Sequence, residues 1–463
     1  MALKASVALG AAGDALTGGA GSTPTRGGAG GAGGETVLRF SADDLQRSTV
    51  AWGVKSRPVP PVTVRVHREA HRGVPATACR YHCDGAVLVT AGADGAVKFH
   101  QARTGKPGLS VLASQHALSS LSTAPDGATI AFGGADKKAY VWNTFTRQAP
   151  RTWTLAGEVV GLGFLGPDRL VTAARSRTDC FRLVNVGESS DSVLGINIGG
   201  GGGGGGGGSV AGGDASSAVV VESAPVAMAV ASLTSRFASA HLDKSIRLWS
   251  VSGSAVADSG SGSGNGNGDM TEIGVVEDAH SQRITSIDFD ATQNLLLTNS
   301  WDGCIQVRDV RAALGEPTVQ LSGLGGALGA YVNRQELTRA AFSPDPDARY
   351  VVAGDNLGRV AFWDLRNTSK PATVVNTPAY NPRAPAAAPA GAGGASALSS
   401  AITCVDWNPN GRQVACVNRM GFVTLIEDEV VVSDINSNKP GGGAATAHSG
   451  TGLSPGMEAL RRL

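Results

Sequence analysis

The 463 residues carry 39 basic and 38 acidic side chains, and a net charge of +1 gives no electrostatic reason to expect nucleic acid or an acidic membrane as partner. Apolar residues make up 42% of the chain, enough for a core, yet no window approaches the roughly 18 consecutive apolar residues of a membrane span. The six cysteines lack disulfide-framework spacing and suit a reducing compartment.

Residues 1–58 read as a Gly/Ala-rich leader without structure, and Asp14 with the lack of early Arg argues against a targeting peptide. "VTVRVHR", Val62 to Arg68, alternates like a strand but has no partner nearby in sequence. Five similar segments follow: "GADGAVKFH", "GADKKAYVW", "AHLDKSIRLW", "NSWDGCIQVR" and "GDNLGRVAFW". In each, a tight turn precedes an alternating strand, with a bulky residue six places after the turn position. The turn positions are Asp94, Asp136, Asp243, Asp302 and a substituted Leu357. "RSRTDCFR" with Ser176 and "NRMGFVTLI" with Met420 fit the same frame, making seven copies.

Their spacing is 42 and 40 residues at first, then 55 to 67. The long intervals contain a decaglycine at Gly199–Gly208, "GSGSGNGNGD" at Gly260–Asp269 and "NPRAPAAAPAGAGGASA" at Asn381–Ala397. Such tracts lose backbone entropy on folding and bury nothing. Without them the period returns toward the ~40–45 residues of a four-stranded propeller blade. The chain is therefore expected to be all-β, a seven-bladed β-propeller over 59–430, with disordered Gly/Ser/Pro-rich insertions at about 196–216, 253–270 and 379–398 and a disordered tail at 431–463. The leading strand should pair with the last blade and close the ring, removing most exposed edges.

These repeats resemble WD-type repeats, in which a turn Asp bonds to an upstream His, a Ser/Thr in the preceding strand and a Trp beyond. That resemblance assigns a structural network to Asp94, Asp136, Asp243, Asp302, His71, His280, Trp142, Trp249 and Trp363, with Thr90, Thr172, Ser239 and Thr298 as hydroxyls. His100, Arg182, Arg308 and Ile426 stand where Trp is expected, so no blade has the full set.

No catalytic, cofactor or metal site is expected, and the chain does not read as an enzyme. "GLGFLG", Gly161–Gly166, lacks the strand-to-helix context of a dinucleotide site, and the decaglycine lacks the Lys-Ser/Thr of a phosphate loop. "CRYHC" brings Cys79, His82 and Cys83 close in sequence, but strand alternation sends neighbours to opposite faces and a second ligand pair is lacking.

In order, "HREAHRGVPATACRYHCDGAVLVTAGADGAVKF", "ASAHLDKSIRLWSV", "ITSIDFDATQNLLLTNSWDG", "LTRAAFSPDPDARYVVAGDNLGRVAFWDL" and "SAITCVDWNPNGRQVACVNRMGFVTL" resemble the C-terminal propeller of the autophagy-related protein 16 family. The distinctive parts are a degenerate fifth blade ending "VRDVR" and a longer lead into the "TRAAFSPD" blade. The resemblance implies a cytoplasmic scaffold, recruited to autophagosomal or endolysosomal membranes without inserting in them. Its implied partners are proteins: the autophagy conjugation complex, which lipidates a ubiquitin-like modifier, and endomembrane-associated proteins. The family's N-terminal helix and coiled coil have no counterpart in the sequence given, and a basic residue of the family's fourth-blade turn is replaced by Ser245 beside Lys244.

The Asp turns should project from one rim, placing Trp301, Lys137, Lys138, Lys244 and Arg419 on a single exposed face of hot-spot composition. A rival reading is a cullin-ligase substrate receptor, because "WDLR", Trp363–Arg366, matches a W-D-x-R adaptor box. A generic protein-interaction platform is the third.

Overall fold

The computed structural model describes residues 60–144, 149–186, 193–194, 221–252, 269–312, 314–323, 331–334, 337–380 and 400–427. The leader, the tail and nearly all of the three expected insertions lie outside these residues. Two insertion edges fall within them. Asp269 and Met270 belong to the strand Asp269–Val276, which pairs with Ile246–Ser252, so the second insertion ends earlier than expected. Ala379 and Tyr380 close a turn in which the Tyr380 amide donates to the Thr377 carbonyl.

Seven four-stranded antiparallel sheets make up the fold, each a meander of consecutive strands except the last. The innermost strands, in blade order, are Ala76–Tyr81, Leu118–Thr123, Val159–Phe164, Pro225–Ala231, Ile284–Phe289, Ala340–Phe342 and Ile402–Trp407. Each packs against the next, and the first also packs against the last, so the arrangement is a closed ring. The seventh sheet takes its outer strand from the beginning of the propeller: Thr63–Glu69 pairs antiparallel with Phe422–Glu427. This is the strand that found no neighbour in sequence. The Arg65 guanidinium adds a 2.8 Å ion pair to the buried Glu427.

The core lies between blades. Alternate residues of the second and third strands of each sheet face the neighbouring sheet, as in the cluster of Phe181, Phe237 and Trp249 at the blade 3–4 boundary. The "GLGFLG" stretch is explained by the same packing. Gly161 and Gly163 sit on the inner strand of blade 3 where any Cβ would run into Met228 and Val230 of blade 4. Their role is close sheet approach.

A feature not read from the sequence recurs at the start of the inner strands. In six blades the pairing of first and second strands slips by one residue, leaving Thr77, Ser119, Val160, Val226, Thr285 and Thr403 as the extra residues of β-bulges. Four of these carry hydroxyls, and each meets a carbonyl of its own second strand and one of the next blade's inner end. Thr77 reaches Ala91 and Leu118, Ser119 reaches Gly133 and Val159, Thr285 reaches Asn299 and Thr338, and Thr403 reaches Val417 and Ala76. The last of these spans the joint between the end and the beginning of the ring. Exchanging a hydroxyl for a methyl at this joint removes one buried hydrogen bond at nearly constant volume. Thr403→Val should lower stability by about 1 kcal/mol, measured by urea unfolding, whereas Thr172→Val would test a hydroxyl that makes no contact between blades.

Candidate interaction face

The turn after the second strand of each blade sits on the same rim as the start of the inner strand. A repeated backbone bond fixes this: the amide one residue past the second strand donates to the residue just before the inner strand. Ala93 thus bonds Pro75, Ala135 bonds Ala117, Leu242 bonds Ala224, Trp301 bonds Arg283 and Arg419 bonds Ala401. In blade 6 the corresponding amide, Asn356, bonds Val332 instead, within the longer lead. That lead is part of the wall. The Tyr331 hydroxyl donates to the Gly354 carbonyl at 2.9 Å, and the Asn333 amide donates to Thr285 at 3.1 Å.

The resemblance-assigned network is met differently in each blade. In blade 1, buried His71 bridges Asp94 at 2.8 Å and Thr90 at 3.0 Å, and Thr90 in turn lies 3.1 Å from His100. His100 therefore supplies a ring nitrogen where Trp is usual. Burial alone would raise Asp94, but its bonds to His71 and Lys98 outweigh that and hold it at about 2. Blade 5 repeats the pattern, with His280 at 3.0 Å from Asp302 and 2.9 Å from Thr298. Its Arg308, in the Trp place, instead donates to Gln306 and to the Gly315 carbonyl.

Blade 4 reaches a similar arrangement by another route. The upstream position holds Ser223, and the imidazole comes from His241, two residues before Asp243. His241 sits 2.8 Å from Ser239, which also accepts a 2.9 Å bond from Trp249 Nε1, and its other nitrogen meets the Ser223 carbonyl at 2.6 Å. The blade 1 counterpart of His241 is Gly92, where a Cβ would strike the His71 ring. One imidazole fills the pocket in both blades, from opposite sides.

Other assigned residues stand apart. Asp136 accepts from Ser114 and from the Tyr140 hydroxyl, while Trp142 is half-buried edge-on to Phe99. Trp363 is fully buried with no hydrogen bond to Nε1, and its ring meets Tyr331 edge-on at 5.6 Å. Leu357 keeps the turn place in blade 6, one residue before the left-handed Gly358, and an acid absent from the expected network, Asp355, takes the place of Gly92; its carboxylate accepts the Leu357 and Arg359 amides and pairs with the buried Arg359 side chain. One placement needs correction. In blade 3 the turn is longer, so Arg182 pairs opposite Thr172 and binds Asp179, and the position matching Trp is Val184 opposite Leu170. In the Cys79–His82–Cys83 stretch, Cys79 faces the core apart from the other two, while His82 bonds Asp84 and the Gly127 carbonyl and, against the alternation expected, lies 3.7 Å from the Cys83 sulfur. Among the described residues no His/Cys/Asp/Glu group could hold a metal ion.

The five residues expected on one exposed face all stand in or beside these turns, and two of them also share a cavity. Trp301 and Arg419 line a cavity of about 510 Å³ along the ring axis, opening at this rim. Trp301 is half-buried, with the Arg283 guanidinium 5.2 Å above its ring. The three lysines do not line that cavity. Lys137 and Lys244 occupy the left-handed position of the turn, φ +62° and +71°, where four other blades have glycine, and Lys244 pairs with Asp278 at 2.6 Å. The bulge residues Thr77, Ser119, Val160, Val226, Thr285 and Thr403 form the next layer down. Arg339 holds the equivalent place in blade 6, and its guanidinium reaches across to the Ser119 carbonyl in blade 2 at 3.0 Å. Deeper still, Arg80 takes the strand position that holds Asp288 in blade 5 and Asp406 in blade 7, and pairs with Asp406 at 2.8 Å.

Three stretches, residues 63–101, 109–143 and 272–309, match the family described as WD domain, G-beta repeat. Each match begins on the outer strand of one sheet and ends on the third strand of the next. The fold is a seven-bladed WD40 β-propeller. The chain is also 25% identical over 285 residues to "Protein tipD" from Dictyostelium discoideum. That alignment covers 61% of this chain and 38% of tipD, so the chain matches well under two thirds of the relative's length.

Two WD40-network histidines make stability depend on acid. Burial, with the charges of His71, Lys98 and Arg68, lowers His100 from 6.5 to about 3, and burial lowers His241 to about 4. Below pH 6.5 the unfolded chain takes up protons that these folded rings refuse. Stability is therefore present above 6.5 and falls as pH drops toward the folded values. His100→Trp restores the usual residue and removes one such group. The slope of unfolding free energy between pH 6 and 4 should then decrease by up to about 1.4 kcal/mol per pH unit, read by urea unfolding at stepped pH.

Proposed function

We propose that this WD40 propeller is a scaffold of autophagy, acting as the propeller of a member of the autophagy-related protein 16 family does: recruiting partners for lipidation of the ubiquitin-like modifier at membranes. A WD40 propeller is suited to protein interaction, and the ring places a half-buried Trp301 under Arg283 at the mouth of an open axial cavity. The observation that carries the finer reading is the lead into blade 6. The family-like stretch before "TRAAFSPD" is built into the wall through Tyr331, Asn333 and Thr338, which are buried and bonded to blade 5 and to Gly354. The degenerate fifth blade agrees with it, since Arg308 has its own set of acceptors and needs no Trp network.

The W-D-x-R box supports the rival reading less well. Trp363 is wholly inside the blade, and Asp364 is already shared between Arg349 and Arg366, at 3.3 and 2.8 Å. Immunopurification of the endogenous protein followed by mass spectrometry tests the proposal. Recovery of the autophagy conjugation machinery is the expected result. Recovery of a cullin adaptor, or of neither, overturns the autophagy assignment and leaves the interaction platform. Trp301→Ala should weaken partner recovery at least tenfold while leaving the melting temperature within a few degrees, because the side chain covers a cavity mouth and not a blade core. Equal losses of folding and recovery would contradict a role at the interface.

A further inference from the structure

The axial cavity is far more basic than a chain of net charge +1 requires. Five of its lining side chains are arginines (Arg80, Arg175, Arg283, Arg339 and Arg419), and none of the described lining residues is acidic. Arg80 pairs with Asp406 at the deep end, and Arg175 pairs with Glu158 at the solvent edge at 2.9 Å. Asp288, half-buried near Arg80, has its carboxyl raised to about 6 by burial and stays mostly ionised at neutral pH, a second counter-charge at the deep end.

Arg283 and Arg339 are less compensated. Arg339 spends one donor on a neutral carbonyl, that of Ser119. Arg283 lies over the Trp301 ring, and its Nε is buried with no hydrogen-bond partner. Burial and the Arg175 charge both push Arg283 below its ordinary pKa, the mark of cations facing one another across a shared space. A buried guanidinium donor left unmade is costly, and a ligand that satisfies it recovers that cost.

We propose that the rim end of this cavity binds a phosphorylated Ser or Thr side chain of a partner polypeptide. A phosphate monoester carries close to two charges and three acceptor oxygens, which suits several converging guanidinium forks; one carboxylate satisfies a single fork. The cavity admits one or two side chains. Its mouth adds Trp301, Pro75 and the exposed Leu337, an apolar wall for residues flanking the phosphate. A membrane headgroup is disfavoured because the arginines are recessed within the ring and not spread on a flat face. The inference rests on the protein-interaction part of the proposed function and not on its autophagy part.

The test is fluorescence anisotropy of the purified full chain with degenerate peptide pools, one centred on phosphoserine or phosphothreonine and one on the unmodified residue. Preferential binding of the phosphorylated pool, lost at least tenfold in Arg283→Gln and in Arg339→Gln but retained in Lys137→Gln, is the expected result. Circular dichroism melts of each variant separate loss of binding from loss of fold. Arg283→Lys, which keeps charge and removes the fork, should fall between parent and Gln variant. Equal binding of both pools, binding of neither, or binding of inositol hexakisphosphate without discrimination between the pools would overturn the proposal. Partners that co-purify unchanged after phosphatase treatment would also sink it while leaving the scaffold reading intact. Failure to recover any partner alongside selective phosphopeptide binding would do the reverse.

Discussion

Everything in this molecule depends on the ring being closed, and closure depends on one pairing. Seven sheets that each lean on the next leave two unpaired ends. Thr63–Glu69 joins them by completing the sheet begun by Ile402–Glu427. The joint is then locked at three depths. Backbone pairing holds its outer edge, the Arg65–Glu427 ion pair lies beside it, and Thr403 bonds across to Ala76 at the inner edge. Because the chain's two ends of the propeller meet in one sheet, unfolding either end removes a partner from the other. This is a reason for such a ring to behave as one cooperative unit despite its repeat construction, where an open repeat array would fray from its ends.

The bulges follow from the same constraint. Strands that converge on an axis have less room at the centre than at the rim of the sheet. One extra residue at the start of the inner strand bends and twists it, and turns its side chain away from the regular alternation. That extra residue then faces the neighbouring blade and the axis together. Where it is Thr or Ser, it stitches two blades. Val160 and Val226 cannot do so; at the joint of blades 3 and 4, Phe181 packs against Phe237 and Trp249. Where it is Arg339, the side chain is long enough to cross the cavity. One backbone device thus sets both the packing between blades and the chemistry of the cavity wall.

Much of this was legible in the sequence, and the reasons the rest was not are physical. Alternation and turn residues gave the seven-fold repeat and the orphan strand, because both are local signals. The network could be read only where the chain keeps the usual spacing. Blade 3 lengthens its turn, so counting six places from Ser176 lands on Arg182 when the fold puts Val184 there. Blade 4 moves the imidazole from the upstream segment to His241, and a residue count cannot show that the His241 ring fills the volume that His71 fills beside Gly92 in blade 1. The bulge hydroxyls did leave a trace, in the small or polar second residue of "ATACRY", "LSSLST", "ITSIDF" and "ITCVDW". Their partners are carbonyls some forty residues away or at the other end of the ring. Lys137 and Lys244 flank turn acids, yet they do not line the axial cavity, and Lys244 pairs with Asp278 instead.

The cavity shows how a nearly neutral chain can carry a strong local field. Elsewhere acids and bases pair, as Arg65 does with Glu427 and Arg247 with Glu272. At the axis, seven strands bring together positions that are distant in sequence, and the composition of that small set is free to deviate. Arg80 occurs at the strand position held by Asp in blades 5 and 7, and its charge is absorbed by those very residues. Arg283 is influenced by burial and the Arg175 charge and by no acid among the described residues, and Arg339 feels Asp406 only through space. The deep arginine therefore belongs to the architecture, tying blade 1 to blade 7. The rim arginines are surplus to it: the ring is already closed by backbone, bulge and core, and their mutual repulsion works against the fold. A cost retained at the rim opening of the axial cavity, beside a partly exposed Trp, is the physical ground for assigning that opening a ligand.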